Sequence, residues 1–266
     1  MMYKITKNEE VEMILAYING EYKETPYLYI NIKKYGVSNI NVRTWVDFND
    51  NNEITGVYMI YYDCLHFFTR NPKKYPLDRL LNFINSNDLK VIMLQGEIGS
   101  AIEKKLLNYN SEKNYIFDMD KICIENNQVK CSIAMREDIL EISDLLMNDS
   151  EYYNVYERQI LIKQLLDRFD SGFSRFFVVR INNKIVASCS TYGETDNLAI
   201  VGGLIVHPKY RNNGLASAVE SYACDILKKD NISRIVFVNY NNYVSLKLQT
   251  KLGGIKYSSI SKFVKK

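Results

Sequence analysis

The stretch Gly202-Gly203-Leu204-Ile205-Val206-His207-Pro208-Lys209-Tyr210-Arg211-Asn212-Asn213-Gly214-Leu215-Ala216 holds the residue types and spacing best suited to chemistry. An apolar run leads into a polar turn with arginine and glycine, and the turn opens a strongly amphipathic segment. The first N–H groups of a helix have no intrahelical acceptor, and the dipole leaves partial positive charge there, so this junction favours a phosphate. Gly214 lets the backbone approach a ligand with no Cβ in the way. Arg211 adds a fork of donors suited to pyrophosphate oxygens.

Other chemistries are poorly supplied. The chain has two histidines, His66 and His207, and five cysteines, Cys64, Cys123, Cys131, Cys189 and Cys224, widely spaced and without a CxxC. A zinc site has no cluster to be built from, a disulfide framework is not expected in a chain of 266 residues, and neither histidine has the context of a nucleophile's partner. The cysteines and His66 read as packing residues. Net charge is +3, too small to announce a nucleic-acid binder, although the last 67 residues hold eleven Lys and Arg against three Asp and Glu. That basic third suits a phosphate-bearing ligand. No apolar run approaches the roughly 18 residues of a membrane helix, and the N-terminus has no apolar h-region, so a cytoplasmic protein without membrane or nucleic-acid partners is expected.

The elements that must position the loop follow from periodicity. After a short strand at 132–135, helices are expected at 136–147 and 155–169. A hairpin of strands 176–180 and 185–192 turns at Asn182-Asn183. Leu198–Val206 reads as a strand buried on both faces. Residues 214–227 form a helix with Leu215, Ala218, Val219, Tyr222, Ala223, Ile226 and Leu227 on one face. A strand at 235–238, a helix at 243–252 stopped by Gly253-Gly254, and a strand at 255–263 are expected to close this half. The first half echoes the plan: a helix at 9–18, strands at Val42–Phe48 and 54–62, a strand at 64–69, a helix at 77–84, a strand at 91–94, a helix at 98–109 and a strand at 117–124. The fold class is mixed α/β, in two domains at 1–128 and 129–266.

Val206-His207-Pro208 followed by Arg211-Asn212-Asn213-Gly214-Leu215-Ala216, with Asn242-Tyr243-Val244-Ser245 and Lys251-Leu252-Gly253 downstream, resembles the Gcn5-related N-acetyltransferases. Their signature is Arg/Gln-x-x-Gly-x-Gly/Ala after a V-x-P turn, then Asn-x-x-Ala/Ser and Lys-Leu-Gly-Phe. The resemblance covers about 131–266 by motif and the first half by plan alone, so two tandem domains of this fold are implied. It implies acetyl transfer from acetyl-CoA to a primary amine, more on a small molecule than on a protein tail, directly and without a metal. The backbone of Leu204, Ile205 and Val206 would pair with the pantetheine arm. The amides of Arg211, Asn212, Asn213, Gly214, Leu215 and Ala216 would hold the pyrophosphate, and Asn242 and Ser245 would face the sulfur end.

Two positions depart from the family. Gln249 stands where a tyrosine usually protonates the departing thiolate, and Gly254 where a phenylalanine is usual. An amide can hydrogen-bond a thiolate but cannot protonate it, so Tyr240, Tyr243 and Tyr257 become acid candidates. Glu194, at the end of the hairpin, is the first choice for a base, acting directly or through water. In the first half, Arg70-Asn71-Pro72-Lys73-Lys74-Tyr75-Pro76 replaces the phosphate loop, with no glycine and two prolines. That half is expected to shape the substrate cleft or to form a homodimer surface, and its aromatic residues are expected mainly in the core. The alternative reading, favoured by Gln249, is a non-catalytic acyl-CoA-binding sensor.

Overall fold

A computed structural model describes residues 2–37, 39–122, 129–153 and 157–266. Contacts divide the chain into two compact units, one of residues 1–116, 238–242 and 256–266, the other of 117–237 and 243–255. This division differs from the expected one at 128/129. Residues 123–128, which include Cys123, lie outside the described set, and two C-terminal segments are grouped with the first unit.

The first unit contains β1 (Met2–Ile5), α1 (Val11–Ile18), α2 (Pro26–Tyr35), β2 (Val42–Phe48), β3 (Ile54–Tyr61), β4 (Cys64–Phe68), α3 (Leu77–Asn85), β5 (Val91–Gln95), α4 (Gly96–Ile102) and most of β6 (Tyr109–Asp118). Strands β1 to β4 pair antiparallel in sequence order, and β4 pairs parallel with β5. β1 and α2 were not expected from the sequence. α2 starts with Pro26 in its first turn, where a missing N–H costs nothing, and buries Leu28, Tyr29, Ile30 and Ile32. The expected helix 98–109 is shorter, ending in a single 3-10 turn at Glu103–Lys105. Tyr58, Phe67, Leu80, Ile92 and Leu94 share one core, against which Trp45 packs, so these aromatic residues are core. The Tyr58 and Tyr75 hydroxyls and the buried Asp47 carboxylate satisfy one another there.

The second unit runs β7 (Cys131–Ile133), α5 (Ile139–Leu146), α6 (Ser150–Tyr153), α7 (Arg158–Asp170), β8 (Phe176–Ile181), β9 (Lys184–Glu194), β10 (Leu198–Val206), α8 (Leu215–Lys229), β11 (Ser233–Asn239, through residue 237) and α9 (Tyr243–Lys251). Its sheet repeats the plan of the first: β7 to β10 pair antiparallel in order, and β10 pairs parallel with β11. Ile139, Ile142, Leu161 and Leu165 pack on Phe176, Val178 and Ile205 from one face. Residues 155 and 156 of the expected second helix lie outside the described set.

The strand expected to close the second half does not do so. β12 (Ile255–Lys265) pairs antiparallel with β5, Ile260 opposite Gln95 through Val264 opposite Val91. Phe263 is thereby buried in the core of the first unit. Among the described residues, no helix is long and apolar enough to cross a membrane, and no group of His, Cys, Asp or Glu is placed to hold a metal ion.

Candidate functional site

The second unit's central strand changes partners midway. β10 pairs with β11 only from Leu198 to Val201, opposite Ser233 to Val236. Beyond Val201 its other side stays with β9, but irregularly: Gly202 is opposite Ser190 and Ile205 opposite Ser188, so Gly203 and Leu204 form a bulge. Gly203 has φ +61°, a conformation glycine adopts readily, and a Cβ at Gly202 would lie 2.6 Å from the Tyr192 ring. From Gly202 to Val206, β10 therefore has an edge not paired with β11, the setting in which an extended ligand can add as a strand.

The strand ends in a built turn. His207 N–H donates to Val186 O, and Lys209 N–H donates to His207 Nδ1. Pro208–Tyr210 is one 3-10 turn. Arg211 is exposed, with Nε donating to Val206 O at 3.2 Å, and Asn213 Nδ2 donates to Tyr210 O and Arg211 O. Asn212 and Gly214 both have positive φ, 63° and 74°. α8 then begins at Leu215 with no side-chain cap. Its first amides remain available, and no atom lies within 4 Å of the place a Gly214 Cβ would take. An uncapped helix start, an open glycine and a nearby guanidinium fit a pyrophosphate.

Leu204, Ile205, Val206 and Arg211 through Ala216 therefore lie on one continuous path, with Ser245 on α9 in the same unit. Tyr240 and Asn242 belong to the segment grouped with the first unit. There, Tyr240 stacks on Tyr115 with ring centroids 3.9 Å apart, and Lys256 Nζ lies 4.1 Å from the Tyr115 centroid. Tyr243 is 70% exposed. Tyr257 is also exposed and lies in the first unit.

Glu194 is ion-paired. Arg175 Nη2 approaches Oε1 at 2.8 Å, Arg175 Nε donates to Oε2 at 3.2 Å, and Thr191 Oγ1 also donates to Oε2. Register puts Glu194 opposite Ala199, about 13 Å along the strand from Gly203 at ordinary strand rise.

Gln249 is buried, with Nε2 donating to both oxygens of Glu220. Burial pushes the Glu220 carboxyl up to about 7, while the bond from Gln249 holds it back in part. Burial also raises the thiols of Cys189 and Cys224, and the nearby Glu220 carboxylate adds to both effects. Sequence reasoning missed Glu220. Its signal is helical spacing: Glu220 is four residues before Cys224 and seven before Leu227, on the buried stripe.

Residues 139–253 match the profile of the acetyltransferase (GNAT) family. No curated protein matches the chain. Among solved structures, the fold is similar to a GNAT-family acetyltransferase from Colwellia psychrerythraea, at 14% identity over 100% of both chains with a TM-score of 0.64. It is also similar to a Drosophila protein, at 12% identity over 100% of this chain and 98% of the other with a TM-score of 0.68. A tandem GNAT protein of the clavulanic acid biosynthesis pathway matches at 10% identity over 99% and 97% of the two chains, with a TM-score of 0.61. The fold likeness extends through the first half as well as the matched region. Residues 139–253 thus match the acetyltransferase (GNAT) family, and the fold of the whole chain is similar to that of GNAT structures, one of them a tandem GNAT protein.

Proposed function

We propose that the protein is an N-acetyltransferase that uses acetyl-CoA and a primary amine, with its working site in the second unit. The observation that carries this reading is the path from the unpaired edge of β10 to the uncapped start of α8. When bound, acetyl-CoA supplies an acyl thioester: the amine nitrogen bonds its carbonyl carbon, the carbon–sulfur bond breaks with the electron pair leaving on sulfur, and nitrogen loses a proton. The N–H and C=O groups of Leu204, Ile205 and Val206 hold the pantetheine arm, and the amides of Arg211 through Ala216 with the Arg211 guanidinium hold the pyrophosphate. The bulge at Gly203 turns backbone groups out of the ladder, where they can orient a carbonyl. Ser245 is proposed near the sulfur end. Glu194 accepts the amine proton through water, because the register leaves it distant from the bulge.

Calorimetry with acetyl-CoA tests the reading. Wild-type protein should bind in the micromolar range. Gly214→Glu should abolish binding by placing a carboxylate at the pyrophosphate, while Gly214→Asn, which tolerates the same backbone conformation, should retain it. Absence of wild-type binding would overturn the proposal.

A second reading has its own support. Gln249 replaces the usual acid and is tied to Glu220, as suits a non-catalytic acyl-CoA sensor. Thiol release with a panel of amines decides between them: a sensor binds acetyl-CoA and releases none above buffer.

A further inference from the structure

Two irregularities of the sheet meet at one point. Ile200 is opposite Gly193 and Val201 opposite Thr191, so Tyr192 is itself an extra residue, a bulge in β9. The next irregularity along β10 is the Gly203-Leu204 bulge. The Tyr192 ring lies across the glycines, filling space that a Gly202 side chain would need and lying 3.6 Å from where a Gly203 Cβ would be. Its hydroxyl is 2.6 Å from that of Tyr152 on α6. Burial raises the Tyr192 phenol, with the Tyr152 hydroxyl and the Gly203 N–H opposing part of the shift. It is therefore a neutral phenol at working pH, able both to donate and to accept.

A cation completes the group. The Arg168 guanidinium carbon on α7 lies 6.0 Å from the Tyr192 ring centroid. Of the second unit's seven arginines, Arg136, Arg158, Arg175, Arg180 and Arg234 each pair with a carboxylate. Among the described residues of the second unit, Arg168 and Arg211 are the two arginines with no carboxylate in ion-pair range. Arg211 stands at the proposed pyrophosphate cradle. Arg168 is half-buried beside the ring of Tyr192, the bulged residue of β9. The ring contact offsets only part of the hydration that a half-buried guanidinium loses, and a ligand anion supplies the missing partner.

We propose that Tyr192, Tyr152 and Arg168 form the acceptor subsite, and that Arg168 makes it select an amine that also bears a carboxylate. This rests on the acetyl-transfer reading above. Arg168 takes the carboxylate, and the Tyr192 hydroxyl accepts an N–H from the neutral amine, turning the nitrogen lone pair toward the bulge. Tyr152 fixes the direction of that hydroxyl.

The test is the ratio of kcat/KM for amino acids to that for their carboxamides. The panel runs from α- to ω-amino acids of two to five carbons, each paired with its amide. At least one acid should exceed its amide tenfold or more. Arg168→Gln should bring that ratio close to one, mainly through KM of the acid, and Arg168→Lys should keep part of the preference. Tyr192→Phe should lower kcat about tenfold while the acetyl-CoA Kd is unchanged. The proposal is overturned if acetyl-CoA binds but no acid is preferred to its amide, or if the preference survives in a folded Arg168→Gln variant. Failure of the wild type to bind acetyl-CoA would instead overturn the transferase reading itself.

Discussion

The Gln249 carboxamide donates to both carboxylate oxygens of Glu220, at 2.9 and 3.1 Å, with both residues about 1% exposed. This pair ties α9 to α8 through polar atoms at a place where apolar contact would be the simpler solution.

The pair makes stability depend on pH. An unfolded glutamate titrates near 4.5, and Glu220 in the folded protein near 7. Between these values the folded state keeps a proton that the unfolded state has lost, so stability falls as pH rises through this window, by about 3 kcal/mol in all, and levels off above it. Glu220→Gln should remove this slope and be more stable than wild type at pH 8. Urea denaturation at pH 5 and pH 8 measures both, and equal slopes in variant and wild type would refute the assignment.

Installing the missing phenol should require two changes. Gln249→Tyr alone leaves Glu220 without its buried partner and is expected to cost about 1–3 kcal/mol. Glu220→Leu with Gln249→Tyr should recover most of that loss, and should raise kcat if thiolate departure limits turnover. A double-mutant cycle on stability and kcat reads both effects, and additive stability changes would mean the two side chains do not interact.

Gly202→Ala drives a methyl into the Tyr192 ring. Overpacking of this kind typically costs about 1–3 kcal/mol. The same substitution in a Tyr192→Ala background should cost much less. Thermal unfolding of the four proteins in the cycle shows whether the ring is what forbids a side chain at 202.

Glu194→Gln is expected to lower kcat about tenfold near neutral pH, with the deficit shrinking as pH approaches that at which the amine loses its proton unaided. A deficit that stays constant with pH would assign Glu194 to holding Arg175, which also pairs with Asp230 at 2.6 Å. The pH dependence of kcat/KM decides.

His66 acts in the opposite sense to Glu220. Burial lowers its imidazole to about 4, from the usual 6.5. Below pH 6.5 the unfolded state takes up a proton that the folded state refuses, so stability falls as pH drops from 6.5 toward 4. His66→Phe should reduce this acid sensitivity, as followed by denaturation between pH 4 and pH 7.

What was legible in the sequence was local. The strand, the turn from Val206 to Gly214 and the helix after it announce themselves because proline, glycine, arginine and a 3.6-residue apolar stripe are all short-range signals. Glu220 escaped because a helix face is read by its apolar members, and a charged residue on the buried stripe is taken for the edge of the solvent face. Tyr192 escaped for another reason: alternation along β9 assumes an unbroken pleat, and its bulge changes which face each later residue meets. The helix at Pro26–Tyr35 was obscured by tyrosines and isoleucines that suit a strand as well. The partner of β12 depends on pairing with residues about 170 positions earlier, which no local pattern encodes.

That last strand sets an order of events during synthesis. The second unit has all its own residues once position 255 has been made. The first, though nearly all of it leaves the ribosome earlier, must wait for 256–266 before the edge of β5 is covered. Until then the earlier-made half offers an open template to any passing strand, including that of a neighbouring nascent chain. A ribosome that stalls before residue 256 would therefore leave its most aggregation-prone surface on the half it translated first.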